Sequence, residues 1–355
     1  MAGRAGAASL RLLTLDVVSN RPDPSAQDPT PAQARSRWSV LLPWAVSAAL
    51  LFYLFGFATD WERLREATSR ANLPLFLACA TADRLAFFLV WTWLSAAALR
   101  RFVAAVPVAS VIAIRGGSEL VRVVSNHLAD AAFLLGVVRL VGGRLDAVLA
   151  CTLVPVVSHF FVMLVQMTLA LPFLRGDDNL DVAGVAGVMW TLVFACAIGV
   201  RLSRSQRVRS PALARVAAWL ERFPLRKLWP FLWGFGLLAL FDIQIQWLAT
   251  RAFGVPIDWT ALAARIPLVY LAFLIPSLGN FGTREMAWAS AFSDFGSRDS
   301  LIAYAFAVNA VFLVLNALLG VIFLRRALEL IGAVRRARRE GEPLPRPILH
   351  DPTDS

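Results

Sequence analysis

The chain has 355 residues, of which 58% are apolar and only 17% are charged, and its mean hydropathy is +0.63. Soluble domains contain about 45–50% apolar and about 25% charged residues, so this composition excludes an ordinary soluble protein and indicates an all-α integral membrane protein. The net charge of +11 comes almost entirely from arginine, with Lys227 as the only lysine. Such an excess is typical of cytoplasmic loops that follow the positive-inside rule, and we expect no nucleic-acid partner.

In chain order, residues 1–38 form a polar tail that we predict to be disordered and cytoplasmic. Residues 39–326 form the predicted polytopic membrane domain. Predominantly apolar runs of the length needed to cross the hydrocarbon lie at 39–58, 73–99, 147–172, 182–200, 229–250 and 300–324. Residues 327–355, basic and then acidic, are predicted to be a second cytoplasmic tail.

The charges of the loops predict the orientation of the chain. Residues 201–227 carry eight basic residues and one acid, Glu221, which indicates a cytoplasmic loop. Residues 173–181 contain three aspartates and one arginine, as expected of an external loop. The prediction is therefore a multi-pass protein of the plasma (bacterial inner) membrane with both termini in the cytoplasm.

Two apolar stretches, 102–143 and 259–293, are interrupted by glycine, proline and charged residues. The loop charges require each stretch to enter and leave on the same side, as a re-entrant hairpin or as two short tilted helices. Broken backbone at this depth is tolerated only where protein or a water-filled cavity covers it. The order span, span, hairpin, span then occurs twice, in 39–172 and 182–324, with opposite orientation. This order predicts an inverted-topology repeat, and its broken elements indicate a transport site.

The second broken stretch contains a specific motif, Pro276-Ser-Leu-Gly-Asn-Phe-Gly-Thr-Arg-Glu285. It resembles the signature of the lysylphosphatidylglycerol synthase transmembrane-region family of flippase-like proteins, approximately P-x-x-G-G-x-G-x-R-E. The matching positions are Pro276, Gly279, Gly282, Arg284 and Glu285, and Asn280 stands where the motif has its second glycine.

The resemblance implies movement of an anionic lipid or lipid-linked headgroup between leaflets, with the six motif residues at the substrate site. Arg284 can hold a phosphate with two hydrogen bonds, and a helix that restarts near Thr283 directs unpaired N–H groups towards an anion. The alternative is an integral membrane enzyme or an accessory subunit that acts with lipid-synthesis enzymes. The family name suggests aminoacyl transfer, but that chemistry needs a soluble catalytic domain, which we do not expect in this chain.

Further charged residues within the apolar segments are candidate intramembrane partners. Asp83, Arg84 and Asp242 lie near the middle of predicted spans, and Asp83 is a candidate partner of Arg284. In the first broken stretch, residues 115–122 resemble a family motif with one extra residue and supply three more candidates: Arg115, Glu119 and Arg122. In an alternative register, around residues 126–130, the motif would be degenerate. The few cysteine and histidine residues are too scattered to bind a metal, and no cofactor is expected.

Overall fold

A computed structural model describes residues 69, 71–141, 145–174, 179–204, 211–222, 225–275, 277 and 280–340. The predicted tail 1–38, the predicted span 39–58 and residues 341–355 lie outside the described residues. Within the described residues the chain is helical and contains no β-strand. The predicted all-α architecture is confirmed.

The described helices are numbered here in chain order. They are α1 (Leu73–Phe102), α2 (Val108–Arg122), α3 (Asn126–Val141), α4 (Leu145–Ala170), α5 (Asn179–Arg204), α6 (Pro211–Arg222), α7 (Leu225–Ala252), α8 (Trp259–Ala272), α9 (Thr283–Ala291) and α10 (Arg298–Glu340). A 3-10 turn, Leu171–Phe173, extends α4.

Five of these helices, α1, α4, α5, α7 and α10, are long and apolar enough to cross a membrane. They contain the predicted spans from 73–99 onwards. Helix α10 differs from the prediction at its end, because it continues through 43 residues to Glu340 and includes the start of the predicted second tail. At about 1.5 Å per residue this helix is roughly twice as long as the hydrocarbon is thick, so its final turns extend beyond it.

Each interrupted stretch forms a pair of short helices. The first consists of α2 and α3, with 15 and 16 residues, joined by the turn at 123–125. The second consists of α8 and α9, with 14 and 9 residues, joined by the segment 273–282. At about 1.5 Å per residue none of the four reaches the roughly 30 Å of the hydrocarbon, in agreement with the predicted broken elements.

Three main helix contacts are reciprocal between the two halves. Helix α1 packs against α7, α10 packs against α2, and α4 packs against α8. Exchanging each helix for its counterpart returns these three contacts, but the packing of α1 against α4 has no counterpart of similar extent between α7 and α10 among the described residues. The inverted repeat itself stays a prediction, for which superposition of the two halves is the test.

Two apolar clusters form the core, and a polar layer lies between them. One cluster surrounds Phe76 and Ile243, and the other surrounds Leu94 and Phe235. Helices α1 and α7 contribute to both clusters, and each carries a buried aspartate between its two apolar segments. The fold thus places carboxyl groups near the middle of the two central helices.

Helices α2 and α10 approach each other closely because glycines line their crossing. A Cβ atom on Gly116 would lie 2.4 Å from the Phe323 side chain, and one on Gly320 would lie 2.6 Å from the backbone nitrogen of Leu120. Small residues allow such close helix packing in membranes. Helix α10 is thereby held against the first helix pair.

We expect Gly320→Ala to lower the stability of the protein, because the new methyl group meets backbone atoms that cannot turn away. Overpacking of this kind typically costs about 1–3 kcal/mol. Gly332→Ala is the matched control, since no atom lies within 4 Å of its added Cβ and the change favours the helix. Thermal unfolding in detergent measures both variants, and equal midpoints for the two would contradict the close crossing.

Candidate functional site

The start of α9 holds the end of the sequence motif. Gly282 precedes the helix with a φ of 83°, a left-handed conformation that favours glycine. Its N–H donates to the Glu285 carboxylate at 2.7 Å, so Glu285 caps the first turn. Asn309 on α10 donates to the other carboxylate oxygen at 3.4 Å. Glu285 therefore stabilises this helix start, whereas Pro276 and Gly279 lie outside the described residues.

Asn280 keeps the backbone shape that the family motif obtains from glycine. Its φ is 64°, in the left-handed region that asparagine enters more readily than most other residues. The Thr283 hydroxyl donates to the Asn280 carbonyl at 3.0 Å and shares a 2.9 Å hydrogen bond with the Ser277 hydroxyl. The departure from the motif is therefore compatible with the same turn.

Arg284, in the first turn of α9, is buried and forms no ion pair among the described residues. Its guanidinium lies over the rings of Phe273 and Phe312, with the carbon Cζ 4.7 and 4.8 Å from the two ring centroids. The residue is 6% exposed, and Nε and Nη1 have no hydrogen-bond partner among the described residues. The aromatic contacts hold the guanidinium plane, while donors on its edge remain free for an acceptor.

A buried polar network connects α1, α7, α8 and α10 near this arginine. The Gln246 amide nitrogen donates to Asp83 Oδ2 at 3.3 Å and to Asp242 Oδ1 at 3.4 Å. The Tyr270 hydroxyl donates to Asp242 Oδ2 at 2.9 Å, and the Tyr304 hydroxyl donates to Gln246 Oε1. Both carboxyl groups are at most 3% exposed. Two acidic groups therefore share one donor in the membrane interior.

The suggested partnership of Asp83 with Arg284 stays a prediction, because the two described side chains form no direct ion pair. Among the described residues no Asp83 oxygen lies within salt-bridge distance of Arg284, although the two are close enough to interact electrostatically. Gln246, one turn beyond Asp242 on α7, binds the Asp83 carboxylate instead. The Oδ1 atom of Asp83 is buried and has no hydrogen-bond partner among the described residues.

The candidate charges of the first half gather around Glu119. Arg84 forms a short ion pair with this carboxylate, and Arg122 and Arg115 approach it at 2.8 and 3.5 Å. Asp130 on α3 binds Arg122 at 2.8 Å and Arg115 at 3.2 Å. Three arginines and two acids leave this cluster with one net positive charge.

The two interrupted stretches meet at a pair of asparagines. The Asn126 amide at the start of α3 donates to Asn280 Oδ1 at 2.7 Å. Asn126 also accepts a hydrogen bond of 3.2 Å from Arg122. The short turn between α2 and α3 therefore brings both candidate registers of the first-half motif, residues 115–122 and 126–130, into one cluster beside the second-half motif.

An apolar groove of about 610 Å³ lies elsewhere, between α4, α7 and α8. Among the described residues that line it, none is charged, and the polar ones are Gln166 and Thr260. Gln166 donates to the Ala263 carbonyl at 2.8 Å. An anionic headgroup finds no counter-charge in this part of the groove, so the volume of the groove is not a reason to place the anion site there.

The comparison with known families agrees with the motif. The profile of the family described as "Lysylphosphatidylglycerol synthase TM region" matches residues 40–320. The chain belongs to this family. No curated protein and no solved structure matches the chain. Membership in the lysylphosphatidylglycerol synthase TM region family, together with the five long apolar helices, indicates a membrane-embedded protein with a function related to lipids or the cell envelope.

Sequence reasoning missed the two tyrosines of the network in this family member. Tyr270 and Tyr304 lie in apolar surroundings and belong to no motif, yet only three tyrosines occur in the whole chain. That scarcity, with both located in membrane helices, was the available signal. Arg265 was also missed; it donates to Asp294 at 2.5 Å and to the Ala291 carbonyl at 2.9 Å, which ties α8 to the end of α9.

Proposed function

We propose that this protein moves an anionic lipid or lipid-linked headgroup between the leaflets of the plasma membrane, with Arg284 as the principal anion contact. The observation that carries the proposal is the buried guanidinium of Arg284, whose Nε and Nη1 lack partners among the described residues. A charged group at membrane depth is costly, and such groups mark substrate pathways. An anion that accepts from these donors supplies the missing partner.

The chemistry of the site favours a phosphate. A guanidinium forms two parallel hydrogen bonds to phosphate, and a helix start adds a favourable dipole. Arg284 lies in the first turn of α9, close to the junction of the two broken stretches at Asn126 and Asn280. A site at the junction of two broken elements is typical of transporters that alternate between the two sides of the membrane.

Glu285 is not a competing ligand for this arginine. Adjacent side chains on a helix do not face each other, and both Glu285 oxygens accept hydrogen bonds, from Gly282 and Asn309. We assign Glu285 and Gly282 to the geometry of the turn and Arg284 to the ligand. We assign the charged cluster around Glu119 to stabilising the first-half side of the contact between Asn126 and Asn280.

The test is lipid translocation in vesicles that contain the full chain. Fluorescently labelled phosphatidylglycerol and a labelled polyprenyl phosphate are the probes, and a membrane-impermeant reductant quenches the label in the outer leaflet. We expect the protein to increase the quenchable fraction of an anionic probe, but not that of an uncharged labelled glycolipid. Failure to move either anionic probe would overturn the proposal. Modification of a headgroup without its translocation would favour the enzyme alternative.

A further inference from the structure

The buried pair Asp83 and Asp242 has no role in holding the anion, yet it lies beside the anion site. We propose that these two carboxyl groups share a proton and bind a second one when an anion binds at Arg284, so that lipid movement is linked to proton movement. This inference rests on the proposed function. The proposed function names the substrate class, and this inference names the proton as the ion that is coupled to its movement.

The geometry brings the two carboxyl groups together. One nitrogen atom, Nε2 of Gln246, donates to an oxygen of each. Tyr304 donates to the other end of the same amide, which fixes the amide nitrogen towards the carboxyl groups. Two ionised carboxylates that share one donor at this depth repel each other strongly, and one of them binds a proton in preference. The Oδ1 atom of Asp83, which has no hydrogen-bond partner within the described part of the chain, can carry that proton.

The charges around the pair come from every helix packed against it. The titratable and charged groups are Cys79 and Arg84 on α1, His159 on α4, Tyr270 on α8, Arg284 and Glu285 on α9, and Tyr304 on α10. Arg84 is bound to Glu119 and Asn316, and Glu285 caps α9. His159 contacts the rings of Trp91 and Phe235. Arg284 forms no ion pair of its own among the described residues, so it is the cation available to balance one ionised carboxylate of the pair.

Charge balance then determines the coupling. Without a ligand, one ionised carboxylate and the Arg284 guanidinium together are neutral while the other carboxyl holds a proton. A bound phosphodiester neutralises Arg284 and leaves the remaining carboxylate without a counter-charge in a low-dielectric site. That carboxylate then binds a proton, and a carboxylic acid replaces the carboxylate. One anion and one proton therefore bind together without a net change in charge.

Removing one aspartate does not remove the coupling, because the other still loses its counter-charge when the anion binds. Removing both does. In the double variant Asp83→Asn/Asp242→Asn, neither carboxyl group of the pair is present to balance the guanidinium before the ligand arrives, and Glu285, the adjacent residue, stays in the cap of α9. We therefore expect anion binding by the double variant to be at least as tight as in the wild type and independent of pH.

The experiment measures binding of a short-chain phosphatidylglycerol to the full chain in an uncharged detergent, from about pH 5.5 to about pH 8.5. The headgroup keeps one negative charge over this range, so the probe itself binds no proton. When one proton is linked to binding, Kd rises with pH by up to about tenfold per pH unit. We expect this rise in the wild type and in each single variant, and a change below about twofold per pH unit in the double variant.

Thr92→Val is the matched control, because it removes a buried hydroxyl of α1 whose one hydrogen bond among the described residues stays within its own helix, to the Phe88 carbonyl. It should keep the wild-type slope. A second measurement uses the wild type alone: in weak buffer with a pH indicator, ligand binding should take up between zero and one proton, with a clear maximum across the range. Wild-type binding without proton uptake, or a steep slope in a folded double variant, would overturn the coupling and leave the proposed function standing. Absence of binding by the wild type would overturn both.

Discussion

Arg284→Ala is expected to abolish lipid translocation while most of the protein still folds. The change removes the positive charge and the paired N–H donors of the guanidinium, which we propose bind the phosphate. Hydrogen bonds to charged groups contribute about 1.5–3 kcal/mol each. Two such bonds correspond to a loss of more than about 100-fold in transport. Arg284→Lys keeps the charge but not the paired donors, so its transport should fall by roughly 10–100-fold.

The folded state should tolerate these changes because neither Nε nor Nη1 of Arg284 has a hydrogen-bond partner among the described residues, and the carboxylate that the guanidinium balances can bind a proton in its absence. Alanine loses the contacts with Phe273 and Phe312, each of the order of 1 kcal/mol, but it also removes a buried charge. Translocation per folded molecule and thermal stability in detergent are measured together. Arg251→Ala is the control, since Arg251 also lies over a ring, that of Trp247 at 4.2 Å, at the exposed end of α7.

The outcomes separate a ligand-binding arginine from a structural one. Normal translocation by Arg284→Ala would remove this residue from the site. A loss of activity in proportion to the loss of folded protein would show an arginine that only supports the helix start. Arg251→Ala should retain both translocation and folded protein, because its guanidinium is exposed and far from the motif in the sequence.

The architecture was accessible to sequence reasoning because its causes are local. Apolar length predicts α1, α4, α5, α7 and α10, and glycine, proline and charge within the two remaining stretches predict short helix pairs. The start of α9 was also predicted, because the proline and glycines of the motif indicated a break before a helix that restarts near Thr283. The prediction ended α10 too early, because a run of basic residues is compatible both with a loop and with a helix that continues beyond the membrane.

The partners of buried polar groups depend on contacts that sequence spacing does not reveal. Asp83 and Gln246 are 163 positions apart, and their hydrogen bond depends on the packing of α1 against α7. Arg284 was predicted as a partner of Asp83 because their charges are opposite. In the structure the guanidinium lies over the rings of Phe273 and Phe312 and forms no direct ion pair with Asp83. Likewise, the two registers of the first-half motif looked exclusive in the sequence, yet the turn between α2 and α3 joins them.

Glu119 is expected to be the residue whose loss most destabilises the protein. It is 1% exposed, and its carboxylate binds Arg84, Arg115 and Arg122. Without it, Arg84 keeps the side-chain oxygen of Asn316 at 2.6 Å but no anion among the described residues. Breaking a buried ion pair by removing one partner costs about 3–5 kcal/mol, since an uncompensated charge stays behind.

Glu119→Ala should therefore lower the unfolding midpoint in detergent by roughly 10 °C, and Glu119→Gln by less, because glutamine keeps an acceptor oxygen. Glu329→Ala is the matched control: Glu329 binds Arg325 at 2.9 Å and Arg326 at 3.6 Å, but its side chain is 48% exposed. Exposed pairs contribute about 0–1 kcal/mol, so this midpoint should hardly move. Equal small shifts for Glu119→Ala and Glu329→Ala would mean that water or a rearranged Asp130 neutralises the three arginines. The ion cluster around Glu119 would then be exposed to water. In that case it would not fix the position of α10 or of the second-half motif.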